Sequence, residues 1–312
     1  MLARSRAYGG ERDYQRIREP LVRCYGLNQT MHCWGLERLD WWRYCIHAAG
    51  ELNGERAWES EVRLWEIEDG ELVGVVHPEG GIGAVRNDRD VFLEIHPGYR
   101  HLEDEMLAWA EAVHLARRPP GRRPWRLNAT IYDYDVERAE VLARRGYRHV
   151  GLVAYKRRCD LHRPIPAGQL PPGYTIQPVA DHEMAAWATV VRAAFDNPWN
   201  TAERCRVWLR APTNRRDLNL VAVAPDGTFA SFAIAWLDDV NRIGMFEPVG
   251  THPEQRRLGL ARAILCEGLR RLRALGAATV YVGCGTGDDV TRLYQSAGFT
   301  EHDAEHQWQK EF

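Results

Sequence analysis

The segment Phe246-Glu-Pro-Val-Gly-Thr-His-Pro-Glu-Gln-Arg-Arg-Leu-Gly-Leu-Ala261 holds the residues best suited to chemistry on a phosphorylated ligand. Ile243–Thr251 reads as a strand that Pro253 ends, and helical spacing takes over at Gly259. The first turn of a helix offers N–H groups with no intrahelical partner and a partial positive charge, so it attracts anions. Gly259 lacks a Cβ and lets backbone approach such an anion closely. Arg256 and Arg257 add positive charge beside it. These features predict a diphosphate site at the mouth of a helix.

The surrounding elements must hold that loop. Tyr174-Thr-Ile-Gln is a short strand, and His182 to Phe195 has helical spacing with Met184, Ala188, Val191 and Phe195 on one side. Leu218–Ala224 and Phe229–Leu237 are strands joined at the Asp226-Gly227 turn. The helix from Gly259 to Leu275 carries a core stripe of Ala261, Leu265, Leu269 and Leu272, and Gly276 closes it. Thr279–Val282 is an apolar β-branched strand, and Asp288–Ala297 is a helix stopped by Gly298.

The first half follows the same plan. Leu64–Glu68 and Leu72–Val76 flank the Asp69-Gly70 turn, Val91–Ile95 is a strand stopped by Pro97, and Leu102–His114 is a helix. Leu127–Ile131 is a strand, Val136–Arg144 a helix, and Gly146-Tyr147 opens a closing strand. Between the halves, Arg163-Pro-Ile-Pro-Ala-Gly-Gln-Leu-Pro-Pro-Gly173 excludes regular structure and reads as a linker. A chain of 312 residues exceeds what one core usually supports. The expected organisation is therefore a domain over residues 1–160, a linker at 161–173 and a second domain over 174–312. Each is an α+β (α/β) unit with a mixed, mostly antiparallel sheet flanked by helices.

Arg256-x-x-Gly259-x-Ala261, preceded by Val249-x-Thr251-x-Pro253, resembles the R/Q-x-x-G-x-G/A acetyl-CoA loop of the GNAT superfamily of N-acetyltransferases. Leu293-Tyr294-x-x-x-Gly298-Phe299 resembles the second signature of that family at the expected distance. The two signatures span residues 243–299, and strand order extends the likeness over most of 174–312. The resemblance implies acetyl transfer from acetyl-CoA to a primary amine by direct attack in a ternary complex. It implies that Arg256, Arg257, Leu258, Gly259, Leu260, Ala261 and Arg262 form the cofactor cradle, with backbone groups of Arg257 to Arg262 on the diphosphate. Val249 and Thr251 would pair with the pantetheine amides, and a backbone N–H near Val249 would support the thioester oxygen. Pro248 fits a strand that splays from its neighbour, because a strand proline marks a bulge or unpaired edge.

For catalysis, the resemblance assigns Tyr294 to protonate the leaving thiolate and makes Glu247, on the strand where the family often has a carboxylate, the candidate base, acting through water. A helix tyrosine packed on the core and a solvated edge carboxylate are the plainer readings of these two residues. Asp238 and Asp239 compete with Glu247. The loop Phe195-Asp-Asn-Pro-Trp-Asn200 follows the helix where the family shapes its acceptor site, so Asp196, Trp199 and Asp238 are candidates for holding a cationic amine. An acceptor on a protein or peptide, and a non-catalytic acyl-CoA sensor, stand as alternatives.

Laying Pro97-Gly-Tyr-Arg100 over Pro253-Glu-Gln-Arg256 puts Glu103 at the place of Gly259, Glu105 at that of Ala261, and Asp104 between them. Acids suit the start of a helix but have the wrong sign for a phosphate. The first half is expected to keep the fold without binding CoA. Tandem enzymes such as mycothiol synthase are similar in layout, and nothing in these residues identifies that substrate.

Other readings are weaker. Val280-Tyr-Val-Gly-Cys-Gly-Thr-Gly287 resembles the S-adenosylmethionine loop of methyltransferases, but only 25 residues follow it and Tyr281 stands where that family has an acid. Gly80-Gly-Ile-Gly83 lacks a flanking strand–helix unit and reads as a loop. Cys24, His32-Cys33 and Cys45-x-His47 fit no common zinc spacing, and no metal is expected. Trp34–Cys45 reads as a tryptophan-rich helix of core or interface type.

Charge is balanced, with 25 Lys+Arg against 26 Asp+Glu in residues 1–160 and 16 against 17 in residues 161–312, so neither nucleic acid nor an anionic membrane is an expected partner. No run approaches the roughly 20 apolar residues of a membrane span, and the N-terminus lacks a signal-peptide core. Seven cysteines without CxxC spacing suit free thiols, hence a cytoplasmic setting. Exposed edge strands are compatible with a homodimer.

Overall fold

The computed structural model describes residues 3–54, 56–79, 88–121 and 123–312. The Gly80–Gly83 loop lies outside them. In chain order the first elements are β1 (Arg4–Ala7), α1 (Glu11–Asn28), α2 (Leu36–Trp41), α3 (Ala48–Asn53), β2 (Arg63–Glu66), β3 (Leu72–Glu79) and β4 (Asp88–Ile95). They continue with α4 (Glu103–Ala116), β5 (Arg126–Tyr132), α5 (Val136–Arg144) and β6 (Arg148–Asp160). The remainder are β7 (Thr175–Pro178), α6 (Met184–Phe195), α7 (Ala202–Trp208), β8 (Asn214–Val223) and β9 (Phe229–Asp238). Last come β10 (Ile243–Thr251), α8 (Leu260–Ala274), β11 (Thr279–Cys284), α9 (Asp288–Ser296) and β12 (Glu301–Glu311).

Two compact units form, and neither is continuous in sequence. Unit 1 contains residues 1–36, 56–154 and 303–312, and unit 2 contains residues 37–55 and 155–302. Unit 1 has the strand order β1-β2-β3-β4-β5-β12, antiparallel except for the parallel pair β4–β5. Unit 2 has the order β7-β8-β9-β10-β11-β6, again antiparallel except for β10–β11. The same mixed sheet is built twice. Its last position is filled each time by the strand that closes the other half of the sequence: β12 pairs with β5, and β6 pairs with β11. A strand pattern records which face is buried and not which neighbour it will find, so this exchange had no local signal.

Unit 1 packs α4 and α5 over its sheet, with Trp65, Val73, Val91, Leu93, Met106, Leu107, Leu127 and Leu142 in the core. Trp308 and Phe312 of the chain end pack against it. Unit 2 has a larger core on its α8–α9 face, from Leu218 and Leu220 through Phe246, Ile264, Leu265, Leu269 and Val280 to Phe299. Ala230, Ala233 and Ala235 keep β9 narrow on that face. On α8 the stripe of Leu265, Leu269 and Leu272 is buried as expected, with Leu260 in place of Ala261 at its start. On α6, Met184, Ala188 and Val191 are buried, whereas Phe195 is 47% exposed because the helix ends there in a left-handed turn at Asp196.

Two further expectations change. The linker has no regular structure, yet it lies along α8: a Cβ on Gly168 would come 2.8 Å from the Cα of Ala263. The Trp34–Cys45 stretch is not one helix. It starts at Leu36 and widens into a π-helical turn over Trp42–Ile46, which re-aims the chain before α3.

His114 is the buried titratable group most exposed to acid stress in unit 1. It is 2% accessible, stacks on Trp125 at 4.8 Å, and burial lowers its pKa to about 4, with Arg89 adding to the effect. A histidine whose folded pKa is depressed contributes stability that is present above the unfolded value of about 6.5 and lost as pH falls toward 4. Thermal melts between pH 7 and pH 4 should therefore show a falling midpoint, and His114→Phe should flatten part of that fall. An identical slope in the variant would remove His114 as its source.

Candidate active site

Strand β10 sets the geometry of unit 2. Residues Ile243–Phe246 pair with Thr279–Val282 of β11 on one side and with Asp238–Ala235 of β9 on the other. Glu247 and Pro248 then form a bulge, after which Val249, Gly250 and Thr251 resume pairing with Ala233, Phe232 and Ser231 of β9 alone. Pairing with β11 stops at Phe246. The edges of Val249 and Thr251 that face away from β9 thus have no strand beside them, which is the splay that Pro248 suggested.

Two contacts hold the bulge. The Trp236 indole N–H donates to the Glu247 carbonyl oxygen at 2.6 Å, giving the bulged peptide a partner. Gly250 lets α6 close on the strand, since a Cβ there would lie 2.6 Å from a ring carbon of Phe232 and 2.8 Å from the Ala194 Cβ. The Ser231 hydroxyl bonds both the Gly250 carbonyl and the Thr251 hydroxyl, each at 2.8 Å.

The loop after β10 is exposed and opens into α8. Arg257 has φ 68° and Gly259 φ 79°, so two of three successive residues sit in the left-handed region, the kind of backbone from which anion-binding nests are made. Gly259 occupies the cap position of α8, and the first amide of that turn to find a partner is Ala263, which donates to the Gly259 carbonyl at 3.0 Å. A Cβ at Gly259 would meet nothing nearer than 3.9 Å, so its space is open. Arg256 is exposed, Arg257 faces Asp289 at 3.4 Å, and Arg262 donates to the Ser296 carbonyl at 3.0 Å, tying α8 to α9.

Tyr294 on α9 packs edge-to-face on Phe299 with ring centroids 5.7 Å apart and is 7% exposed. Burial, reinforced by Cys284 and Glu247, raises its pKa above the ordinary phenol value. It therefore holds its proton throughout the neutral range and can act as an acid.

Glu247 is half-buried, and its Oε1 accepts from the Arg38 guanidinium at 3.1 Å. Arg38 belongs to α2, in the first half of the chain. Next to it, Glu37 is 4% exposed with Oε1 buried and unpartnered, and its pKa is raised to about 7. Burial is the main cause, opposed by a hydrogen bond from its own backbone amide and by Lys156, while Glu247 and Asp238 push the same way as burial. Sequence reasoning missed both residues, because their segment lies about 200 positions away and reads as an ordinary amphipathic helix. The acidic residue with an arginine beside it, next to a tryptophan pair, was the only available hint.

The structure thus gathers Glu247, Val249, Thr251, Tyr294 and the loop Arg256–Arg262 in unit 2. Asp238 turns into its own loop, with Oδ1 accepting from the Val240 and Asn241 amides and Oδ2 from the Asn241 side chain, so it has little left to offer a ligand. Asp196 caps α6 in the left-handed region and Trp199 is 61% exposed in the adjoining turn. The zinc candidates divide: Cys24 and Cys33 both direct sulfur at the Ile95 peptide of unit 1, and Cys45 is buried in unit 2. In unit 1 the acids of α4 do not stand free at the helix mouth. Glu103 is buried between Arg100 and Arg138, Asp104 pairs with Arg145, and Glu105 accepts from the Trp65 indole at 2.9 Å.

Comparison with known proteins gives the class. Residues 184–299 match the family model described as acetyltransferase (GNAT) family. A mycothiol acetyltransferase of Frankia alni is 28% identical, covering 76% of this chain and 74% of its own. Another, of Geodermatophilus obscurus, is 29% identical over 78% and 80%. Among solved structures, a GCN5-related N-acetyltransferase from Sphaerobacter thermophilus has a TM-score of 0.66 at 20% identity, covering 99% of this chain and 95% of its own. A tandem GNAT protein from the clavulanic acid biosynthesis pathway has a TM-score of 0.69 at 16% identity, covering 99% and 98%.

Fold and signatures together mark an acyltransferase whose residues 184–299 are similar to the GNAT acetyltransferase family, which uses acetyl-CoA. More particularly, it has the fold of a tandem GNAT protein and is similar in layout to the mycothiol acetyltransferases, likenesses that support acetyl transfer to an amine. No helix among the described residues is long and apolar enough to cross a membrane.

The Trp236 bond tests how the bulge is held. Trp236→Phe keeps the ring's bulk but leaves the Glu247 carbonyl without its donor, at a cost of about 1–3 kcal/mol. Chemical denaturation should register that loss. A variant as stable as the wild type would show that the bulge does not need the indole.

Proposed function

We propose that unit 2 binds acetyl-CoA along the free edge of β10 and transfers the acetyl group to a primary amine on a small molecule, by direct attack in a ternary complex. The observation that carries this reading is the parting of β10 from β11, followed in the chain by an exposed loop with open space at Gly259. The free edge of Val249 and Thr251 can pair with pantetheine amides as a further strand would. Amides from Arg257 to Arg262 then take the diphosphate, with Arg256 and Arg257 adding charge.

The thioester would lie near the bulge, where the amide of Val249 can support its oxygen as charge develops. Tyr294 gives its proton to the departing CoA thiolate. The free oxygen of Glu247 faces the acceptor and holds it as an ammonium, with Asp196 and Trp199 as further candidates near the rim. A small acceptor is favoured by the α2 segment, which places Arg38 over Glu247 and packs Trp41 against Trp208 at 5.3 Å. The relatives named mycothiol acetyltransferase support the same view. Unit 1 keeps the fold and fills the equivalent helix mouth with the Glu103–Arg138 pair, so it is read as not binding CoA.

Two variants separate binding from chemistry. Gly259→Asp suits the left-handed backbone, because aspartate tolerates it, but puts a negative charge in the diphosphate's place. Calorimetry should show acetyl-CoA affinity at least about 100-fold weaker, near the few kcal/mol expected of an unpaired charge meeting an anion. Unchanged uptake would move the nucleotide elsewhere. Tyr294→Phe should keep acetyl-CoA binding within about twofold while amine-dependent CoA release falls at least about tenfold. Equal rates would take Tyr294 out of the reaction.

A further inference from the structure

Glu37 is the one group around the site whose state the acyl-transfer geometry does not explain. It is carried on α2, in the first half of the sequence, yet α2 beyond Leu36 is part of unit 2. Its side chain is buried, its Oε1 meets no donor, and its neighbour Arg38 is spent on Glu247. A buried carboxylate oxygen with no partner costs free energy that folding alone gives no reason to accept. A donor that arrives from outside does give one. Here that donor is the acceptor's own nitrogen.

We propose that Glu37 is the proton acceptor for the attacking amine, and that Glu247, fixed by Arg38, orients that amine without taking its proton. The proposal rests on the acetyl-transfer reading given above. An amine acceptor arrives at neutral pH as R–NH3+, which has no lone pair for attack. One N–H proton passes to the Glu37 carboxylate, and the neutral nitrogen adds to the thioester carbonyl. As the C–S bond breaks, the thiolate takes the Tyr294 proton. The nitrogen sheds its second proton, which restores Tyr294, and Glu37 returns its own to solvent. The sum is R–NH3+ plus acetyl-CoA giving the amide, CoA–SH and one H+.

The surroundings suit that task. On its own helix Glu37 has Arg38, which is engaged with Glu247; Glu247 of β10, Asp238 of β9 and Lys156 of β6 act electrostatically on its charge. Burial with two acids against one lysine keeps its pKa near 7, between the values that would leave it a permanent anion or a permanent acid. A base is most effective when its pKa lies near the working pH. Asp238 cannot take the role, since its oxygens are used by its own turn.

The test uses the full-length chain and a panel of primary amines, with free CoA followed by a thiol reagent. The amine giving the fastest release is then used at saturation, so that kcat reports groups in the bound complex rather than the free amine. The wild type should lose rate below an apparent pKa near 7. Glu37→Gln should lower kcat at least about 100-fold and abolish that acid limb, with acetyl-CoA affinity unchanged within about twofold by calorimetry. Glu247→Gln should raise KM for the amine and keep the limb. If Glu37→Gln does not fold, Glu37→Asp replaces it, and a reduced rate with a displaced limb is expected. A limb that persists in the Glu37 variants, or that disappears only in Glu247→Gln, overturns the proposal while leaving acyl transfer intact. A wild type that binds no acetyl-CoA and releases none with any amine overturns both.

Discussion

The parting of β10 from β11 is the constraint on which the rest of unit 2 depends. Two strands that pair along their whole length leave no edge for a ligand's amides and no room for a thioester. Here the bulge at Glu247 and Pro248 removes the pairing after Phe246, and the strand continues to Thr251 bonded to β9 only. A free strand edge is normally a hazard. In this position it is the feature a peptide-like pantetheine chain can use. Trp236 and Gly250 hold the parting from the side of β9 and α6, so the core itself maintains the opening.

Around that opening the chain trades segments between its halves. Residues 37–55 join unit 2 through specific polar contacts. Asp40 accepts from the amide and hydroxyl of Thr213 and Arg204 donates to the Cys45 carbonyl at 3.3 Å, while inside the segment Arg43 pairs with Glu51 at 3.1 Å, both side chains nearly inaccessible. A buried ion pair of this kind adds little net stability, since desolvation offsets its attraction. Its effect is on register: only one placement of α2 and α3 satisfies all these groups. That placement brings Arg38 to Glu247 and buries Glu37, so the first half of the sequence supplies side chains to the unit framed by the second.

Unit 1 shows the same helix mouth put to another use. Where unit 2 has Gly259 and open amides, unit 1 has Glu103, enclosed by Arg100 and Arg138, with Asp135 completing the cluster. Against the effect of burial, His32 and the two arginines hold the Asp135 carboxyl well below the usual carboxylate range. The first half thus retains positive charge at that place and spends it on its own acids. Simple repulsion of a phosphate, as the sequence suggests, is the weaker description; internal pairing fills the space.

Much of this was readable from the chain itself. The alternation of β8 and β9, the stripe of α8, the glycine at 259 and the spacing of Leu293-Tyr294 to Gly298-Phe299 depend on neighbours a few residues away, so order along the sequence determines them. The duplicated plan was visible for the same reason. The exchange of closing strands, the π-helical turn at Trp42–Ile46 and the meeting of Arg38 with Glu247 were not. Each depends on which distant surface an element finds, and hydrophobic patterning says only that a face will be covered. The sequence by itself determined two sheets and a helix mouth opened by a glycine beside two arginines; the tertiary structure decided whose side chains surround the neighbouring strand, because burial and unpaired polar atoms exist only once remote segments pack together.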